Sequence, residues 1–172
     1  MVNIRPALEK DIPEILEIYN YAILHTTSVY SYLPHTTEMR KKWFEEKKAA
    51  GHPIFVAEGD NKVAGFISYG HFRAWPAYKY TMEHSVHVHK DFRRQGVATM
   101  LVNKLIESAK QNDVHSLIGV IDASNAASVQ LHEQFNFKEV GHFKEVGYKF
   151  NQWLDLKFFQ LLLETPANPI EG

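Results

Sequence analysis

The sequence contains no cysteine among its 172 residues. This absence excludes disulfide bonds, thiolate metal ligands and a cysteine nucleophile. The sequence also lacks any apolar run near the ~20 residues that a membrane-spanning helix needs. Its first residues, Met1 to Pro6, do not have the apolar core of a signal peptide. We therefore expect a cytoplasmic protein with no membrane partner.

The chain also lacks a large excess of positive or negative charge, since its formal net charge at pH 7 is −1. Domains dedicated to nucleic acids are usually strongly basic, so we expect no nucleic-acid partner. There is no Gly-x-x-x-x-Gly-Lys-(Ser/Thr) stretch, which excludes the phosphate-binding loop of nucleotide hydrolases. Hydrophobic residues make up 45% of the chain, an ordinary globular value. We expect a single domain over residues 1–164, followed by a flexible tail over residues 165–172.

Hydrophobic periodicity divides the chain into strands and helices. The three- and four-residue spacing of half-buried helices marks residues 12–25, 37–50, 97–111 and 126–135. Short apolar or alternating runs mark strands at residues 3–7, 54–58, 63–69, 81–88, 116–121, 138–144 and 153–163. The order of these elements predicts an α/β fold of the α+β type, with a mixed sheet and helices on both faces.

The turn between the fourth strand and the third helix contains Lys90, Arg93, Arg94 and Gly96. The first turn of a helix has unpaired N–H groups and a partial positive charge, so an anion binds well there. Gly96 has no side chain that would block the approach, and the basic residues add charge. A solvated basic patch would have the same composition. The turn alone therefore leaves a phosphate site and a solvated patch equally open.

Two motifs, in this order, resemble the signatures of a known family. The segment Arg93-Arg94-Gln95-Gly96-Val97-Ala98 is similar to the acetyl-CoA pyrophosphate motif of the GNAT superfamily of N-acetyltransferases, (Gln/Arg)-x-x-Gly-x-(Gly/Ala). It follows a strand and opens a helix, as that motif does. The segment from Asn125 to Phe137 resembles the second signature, a helix led by Asn that ends in Gly-Phe. Asn136 replaces the glycine, and asparagine is the next-best residue for a left-handed turn at a helix end.

Further segments resemble one branch of this superfamily, the phosphinothricin and methionine sulfone or sulfoximine acetyltransferases. They are the run Thr81–Val88, the loop HFRAWPAY before it, the SVQLHE helix and the closing KFNQWLD. The resemblance covers the chain from about Ile4 to Glu164. It implies a GNAT-like fold, with a mixed, mostly antiparallel sheet and a splayed cofactor cleft. It also implies acetyl-CoA as cosubstrate, a small amino acid or analogue as acetyl acceptor, and a homodimer.

The resemblance implies which residues hold acetyl-CoA. The backbone at the end of the fourth strand would pair with the pantetheine arm as an added strand does. The amides that begin the third helix would hold the pyrophosphate, and Asn125 would lie near the thioester. The implied cofactor-binding residues are Val86, His87, Val88, Arg93, Arg94, Gln95, Gly96, Val97, Ala98, Thr99, Asn125, Ser128 and Gln134.

The resemblance also implies catalytic roles for Glu83 and His132. The amine must lose a proton before it attacks the thioester, and the departing thiolate benefits from an acid. Glu83 is the candidate base, directly or through water, and His132 takes the place of a thiolate-protonating tyrosine of many superfamily members. Without the family, Glu83 would be interpreted as a structural carboxylate paired with Arg73 or Lys79, and His132 as an ordinary helix histidine. Acid, base and structural roles of His132 stay open.

A carboxylate clamp within an aromatic loop is expected for the amino-acid substrate. Arg73 offers a planar fork that matches a carboxylate. The bulky loop favours a small, closed site over the open groove of a protein or peptide N-terminal acetyltransferase. A non-catalytic CoA-binding module would keep Gly96 and Asn125 without the base, so the presence of Glu83 disfavours it. The candidate substrate residues are Tyr30, Arg73, Trp75, Pro76, Ala77 and Tyr78, whose rings could alternatively serve packing or an interface.

Ten histidines raise the question of a metal site. His87 and His89 are two residues apart and are expected on one face of the fourth strand. A catalytic zinc ion needs three protein ligands, and the spacing specifies no third ligand here. We therefore predict no metal.

Overall fold

The structure of the chain is a computed structural model that describes residues 2–171. These residues form the strands β1 (Asn3–Pro6), β2 (Ile54–Gly59), β3 (Lys62–His71), β4 (Thr81–Val88), β5 (Ser116–Asp122), β6 (Lys138–Lys149) and β7 (Gln152–Leu162). Their helices are α1 (Ile12–His25), α2 (Thr37–Ala49), α3 (Val97–Gln111) and α4 (Ala126–Gln134). Within residues 2–171, no helix combines the length and apolarity that crossing a membrane requires.

The strands form one sheet in the order β1-β2-β3-β4-β5-β7-β6. The pairs β1–β2, β2–β3, β5–β7 and β6–β7 are antiparallel, whereas β4–β5 is parallel. This topology confirms the predicted mixed, mostly antiparallel sheet. The parallel pairing joins residues 81–84 to residues 116–119 and ends there, although β4 continues to Val88 and β5 to Asp122. The pairing therefore stops partway along both strands, as a splayed pair requires.

The chain divides into two compact units. The first unit extends to Ser68 and includes Val86–Leu105, and the second comprises Tyr69–Ser85 and the chain from Ile106 onward. In the first unit, α1 packs on β2 and β3, because its apolar residues recur every three or four positions and face the sheet. The buried residues of this core are Ile15, Ile18, Ile54, Val56, Val63 and Phe66, with Trp43 and Phe44 of α2 packed against them.

Local turn chemistry fixes the boundaries of the first unit's elements. The Thr36 hydroxyl accepts a hydrogen bond from the Met39 N–H over 3.2 Å, so Thr36 caps α2, as threonine commonly does. Gly51, just past α2, has a φ of 69°, the left-handed conformation that favours glycine at a helix end. Asp60 and Asn61 both have positive φ, 52° and 60°, as a two-residue hairpin turn requires. These four positions were readable from residue type alone.

The second unit is built on β5, whose residues are nearly all buried. This burial shows that the apolar strand is covered on both faces. The sixth strand is longer than predicted, because it reaches Lys149 and not Lys144. Its pairing with β7 shifts register between Phe143 and Gly147, and Glu145 there has a φ of 53°. The bulge breaks the two-residue alternation, so the sequence pattern hides the second half of the strand.

The segment after β7 makes hydrogen bonds within the second unit. The Thr165 hydroxyl donates to the Val114 carbonyl over 2.5 Å, and the Thr165 carbonyl lies 3.0 Å from His115 Nδ1. Further along, the Tyr80 hydroxyl donates to the Ile170 carbonyl over 3.2 Å and accepts from the Ile170 N–H over 3.1 Å. These bonds hold the tail against its unit in this structure.

Candidate functional site

The turn that leads from β4 into α3 has the backbone of an anion site. Arg94 and Gly96 have positive φ, 59° and 77°, and a Cβ on Gly96 would meet nothing within 4 Å. The Gln95 side-chain amide donates to the Asp91 carbonyl over 3.0 Å and braces the turn. The Met100 N–H donates to the Gly96 carbonyl over 3.1 Å, so the helical bonds of α3 begin at that donor. The backbone N–H groups before Met100 precede these helical hydrogen bonds and can therefore point to an anion.

The side chains around this turn suit a pyrophosphate. Of the residues that the sequence assigns to this group, Arg93, Arg94, Gln95, Gly96 and Thr99 are exposed, Ala98 is half-buried and Val97 is buried. Two exposed guanidinium groups and an open helix start together fit a diphosphate anion. The buried Val97 packs into the core, so it can offer only its backbone N–H.

The end of β4 lies in the same unit as this turn. The buried His87 ring stacks on Phe66, with the ring centroids 5.1 Å apart. Burial, together with the positive charge of Arg40, lowers the pKa of His87 to about 4, so this ring is neutral at pH 7. Val86 and Val88 are half-buried. The His87 side chain is thus a packing element, so His87 can offer a cofactor only its backbone.

Arg40 of α2 is a buried cation without a carboxylate partner among residues 2–171, and only 2% of it is exposed. Its guanidinium carbon lies 3.8 Å from the centre of the Tyr19 ring and 4.6 Å from that of Trp43. Its Nη2 atom lies 3.1 Å from His35 Nδ1, and its buried Nε has no hydrogen-bond partner in the described chain. Burial lowers the pKa of Arg40. Cation–π contacts stabilise this charge where an ion pair is usual.

The candidate base, Glu83, is an exposed residue of β4 in the second unit. It lies opposite Ile118 of β5 in the parallel register. Its neighbour His84 is buried, because successive side chains of a strand point to opposite faces. The carboxylate of Glu83 is therefore accessible, one residue before the pairing of β4 with β5 ends.

Helix α4 begins with a side-chain cap. The Asn125 side-chain oxygen accepts a hydrogen bond from the Ser128 N–H over 3.1 Å. This bond engages the oxygen, so the amide nitrogen of Asn125 remains as a donor for a cofactor. Ser128 is half-buried and Gln134, the last residue of the helix, is exposed. Asn136 has a φ of 64°, which confirms the predicted left-handed residue at the helix end.

His132 of α4 is 2% exposed and forms a pair with His84 of β4. Their Nε2 atoms are 3.0 Å apart, and the rings stack at an interplanar angle of 24°. His132 Nδ1 lies 2.7 Å from the Ser128 carbonyl oxygen. Burial lowers the pKa of both rings, and for His84 burial followed by the charge of His132 lowers the pKa to about 3. Both rings are neutral at pH 7, and both nitrogens of His132 have partners.

Gly119 of β5 provides the space for this histidine pair. A Cβ at this position would lie 2.7 Å from His132 Nε2 and 3.2 Å from His84 Cε1. The first of these distances is shorter than packed atoms tolerate, so a side chain here would displace a ring. Glycine inside a strand often marks a close approach. That signal was present in the sequence, but it did not say what approaches.

The predicted substrate loop is exposed in this structure. Arg73 stacks its guanidinium on the Phe72 ring at 4.2 Å and donates to the Phe72 carbonyl over 3.0 Å. The other candidate substrate residues, Tyr30, Trp75, Pro76, Ala77 and Tyr78, are exposed as well. Each of these side chains is therefore accessible within its own unit.

The histidines of β4 and the residue that follows it are engaged with other partners. His84 pairs with His132, the His87 ring is buried among aromatic rings, and His89 packs its ring against Phe92. Among residues 2–171, no group of three or more histidine, aspartate or glutamate side chains could hold a metal ion.

Sequence reasoning missed His84 as a site residue. It is one of ten histidines, and nothing in the local pattern links it to His132. The two residues are 48 positions apart, and their contact depends on where α4 packs.

Comparisons with known proteins agree with the motifs. The pattern of the acetyltransferase (GNAT) family matches residues 16–137. Over 168 residues, the chain is 37% identical to the L-methionine sulfoximine/L-methionine sulfone acetyltransferase of Salmonella typhimurium, with 98% of each chain covered. It is 32% identical to the phosphinothricin N-acetyltransferase of Streptomyces viridochromogenes, covering 98% of this chain and 91% of that one.

A solved structure of an acetyltransferase from Salmonella typhimurium with its cofactor acetyl-CoA has a TM-score of 0.95 and 36% identity. The match covers 99% of this chain and 98% of that one. The turn before α3 and the Asn-led helix α4 both lie inside the residues that the family pattern matches. This chain is therefore a member of the acetyltransferase (GNAT) family.

Proposed function

We propose that this protein transfers the acetyl group of acetyl-CoA to the α-amino group of a small amino acid or analogue, of the methionine sulfoximine, methionine sulfone or phosphinothricin type. The observation that carries the proposal is the match, over 98% of the chain, to an enzyme named for the first two compounds. The turn before α3 supports the choice of donor, because its open helix start suits a pyrophosphate.

Each part of the site has a task in this reaction. Acetyl-CoA supplies a thioester, whose carbonyl carbon is the electrophile that the amine attacks. The backbone of residues 86–88 and the amides of residues 94–99 bind the donor, and the Asn125 side-chain nitrogen orients it. Glu83 takes the proton that the substrate ammonium must lose. Arg73 holds the substrate carboxylate.

Replacing Gly96 with glutamate is expected to abolish acetyl-CoA binding. The new side chain fills the open space at the turn and places a negative charge where the pyrophosphate binds. Gly51→Glu is the matched control, because Gly51 also has a positive φ and open space around its Cα. Calorimetric titration with acetyl-CoA should show no binding to Gly96→Glu and wild-type affinity for Gly51→Glu. Retained affinity in Gly96→Glu would contradict the cofactor assignment.

Replacing Arg73 with alanine is expected to raise the KM for the amino acid at least about tenfold. Truncating one partner of a charged, hydrogen-bonded pair costs about 2–5 kcal/mol when the pair is buried, and the exposure of Arg73 places it toward the low end. Lys79→Ala removes another cation of the same segment and serves as the control. Steady-state kinetics with the free acid should separate the two variants.

The same clamp predicts that amides and esters of these amino acids are poor substrates. A neutral carbonyl lacks the charge that a guanidinium fork recognises. A CoA-release assay on matched acid, amide and ester forms measures this preference. Equal rates on all three would remove the clamp and favour the N-terminus of a peptide as the acetyl acceptor.

We infer that the hairpin of β6 and β7 forms a homodimer interface. β6 is the edge strand of the sheet. Exposed edges and large exposed apolar groups favour association. The exposed apolar residues of this hairpin are Val140, Phe143, Val146, Tyr148, Phe150, Trp153 and Leu162. Sedimentation at micromolar concentration should give a dimer for wild type and for Met39→Glu, an exposed control in α2, but a monomer for Val146→Glu. A wild-type monomer would refute the interface.

A further inference from the structure

Gly65 of β3 lies in close contact with the backbone at the end of β4. A Cβ at position 65 would lie 2.8 Å from the His87 carbonyl oxygen and 3.3 Å from the Val88 Cα atom. The first distance is shorter than packed atoms tolerate. Both neighbours are backbone atoms, which cannot rotate away as the end of a side chain can. The next hydrogen bond, from the His89 N–H to the Ala64 carbonyl over 2.9 Å, keeps the two strands at this separation.

The conformation of Gly65 does not itself require glycine. The described glycines with a positive φ are Gly51 and Gly96, and Gly65 is not among them. Gly65 lies in a buried part of β3, opposite Ala57 of β2. The missing side chain therefore serves the close approach of the β4 backbone, which is a known use of glycine inside a strand.

β3 has no room to move away from an added side chain. Its residues 62–68 pair with residues 54–59 of β2, and β2 pairs in turn with β1. Phe66 and Ile67, which follow Gly65, are only 1% and 0% exposed. The Leu101 Cδ1 atom would lie 3.2 Å from the same Cβ, but it is the end of a side chain that can rotate. A larger residue at position 65 would therefore displace the backbone of residues 87–88.

Ring contacts hold the same backbone through the His87 side chain. The His87 ring stacks on Phe66 at a centroid distance of 5.1 Å and packs edge-to-face with the Tyr19 ring at 5.4 Å. The Arg40 guanidinium carbon covers the Tyr19 ring at 3.8 Å, and Tyr19 also supports this charge as a hydrogen-bond partner. Tyr19 therefore lies between a fixed cation and the His87 ring, and it limits the movement of that ring.

We propose that Gly65 is a positioning residue for acetyl-CoA, because it fixes the backbone of residues 86–88, and that Tyr19 supports the same backbone through the His87 ring. These roles rest on the proposed function, in which this backbone pairs with the pantetheine arm as an added strand does. Hydrogen bonds weaken when distance and angle depart from their best values, so a small displacement of the segment weakens the pairing. The pyrophosphate is assigned to the turn before α3, so its binding should not depend on this contact.

Replacing Gly65 with alanine is expected to weaken acetyl-CoA binding roughly tenfold, the loss that follows when one or two backbone hydrogen bonds are disturbed. ADP has the diphosphate of CoA without the pantetheine arm, and its affinity should stay within about twofold of wild type. Calorimetric titration with acetyl-CoA and competition titration with ADP measure the two affinities.

Gly59→Ala is the matched control for this experiment. Gly59 is a buried strand glycine of the same unit. A Cβ there would meet only side-chain atoms, of Val2 at 3.2 Å and of Phe92 at 3.5 Å. These side chains can adjust, so this variant should bind both acetyl-CoA and ADP as the wild-type protein does.

Two variants of Tyr19 test the ring support while Gly65 stays in place. Tyr19→Phe keeps the ring that packs against His87, whereas Tyr19→Leu removes it. We expect Tyr19→Phe to bind acetyl-CoA within about twofold of wild type and Tyr19→Leu to bind it roughly fivefold more weakly, since the loss of an aromatic pair is of that size. The affinity for ADP should be unchanged in both variants.

A merely structural role of these residues predicts a different pattern. Gly65→Ala and Tyr19→Leu would then lose affinity for acetyl-CoA and ADP alike, in step with a lower melting temperature, or for neither ligand. Either result would overturn the proposal. Wild-type protein that binds no acetyl-CoA would instead refute the proposed function itself. If Gly65→Ala does not fold, the two Tyr19 variants decide whether acetyl-CoA binding depends on the support of residues 86–88.

Discussion

The Glu83→Gln variant is expected to lower kcat by about 10²–10⁴-fold, the usual contribution of a general base. The ammonium of an amino acid is protonated at neutral pH and cannot attack a thioester until it loses a proton. Glutamine has the shape of glutamate but cannot accept that proton at physiological pH. Glu83 is accessible on β4 and is therefore placed to meet a substrate. Acetyl-CoA affinity and melting temperature should stay at wild-type values.

Glu133→Gln provides the matched control for this experiment. Glu133 is an exposed carboxylate of α4 in the same unit, and the same substitution there should leave kcat unchanged. A structural role for Glu83 predicts a lower melting temperature with a normal kcat in the enzyme that remains folded. A destabilised Glu83→Gln variant that turns over at the wild-type rate would remove Glu83 from the mechanism.

Stability is expected to fall steeply as the pH drops below 6.5. The pKa of His84 is lowered from its ordinary value of 6.5 to about 3, that of His87 to about 4, and that of His132 is lowered as well. Below pH 6.5 the unfolded chain binds protons at these positions, whereas the folded protein does not until near the lowered values. The stabilisation is therefore complete above pH 6.5 and is lost as the pH falls toward 4.

The expected size of this effect is large. His84 and His87 each contribute about 1.4 kcal/mol per pH unit within the window, so the two together approach ~3 kcal/mol per unit, and His132 acts in the same direction. A domain has only about 5–15 kcal/mol of stability in total. The loss of stability should therefore begin near pH 6.5, above the range in which carboxylates titrate.

Urea denaturation at several pH values between 7.5 and 5 measures the slope. His87→Gln should reduce the proton uptake on unfolding by about one, because glutamine does not titrate. Met39→Gln, at an exposed position without a titratable side chain, should leave the slope unchanged. If the wild-type protein takes up fewer than one proton on unfolding, these rings are not buried in their neutral form.

The elements with clear periodicity were predictable from the sequence, because one face of each is buried. Helix α3 begins at Val97 and ends at Gln111, as its apolar spacing predicts. β6 was cut short in the prediction, because its register shift at Phe143 to Gly147 breaks the alternation on which such a prediction depends. The position of this bulge depends on the partner strand β7. The Asp155 carboxylate of β7 accepts a hydrogen bond from the Glu145 N–H over 2.9 Å.

Some residues of the candidate site were also predictable from the sequence, whereas other features of the structure were not. Gly96, Asn125 and Asn136 each act through their own backbone or the next turn of a helix, so residue type and spacing were enough to find them. The surroundings of Arg40 were not predictable. A lone arginine on a helix does not indicate that its guanidinium will pack on aromatic rings and not pair with a carboxylate.

By itself, the sequence determined the helices and most of the strands, the backbone of the turn before α3 and the family, since these depend on short-range order along the chain. Only the tertiary structure decided that His84 and His132, 48 residues apart, share one hydrogen bond. That contact exists because the register of β4 on β5 and the packing of α4 bring both rings over Gly119. The protonation state of His132 follows from that packing, because it is set by the partners of its two nitrogens and by exclusion from water.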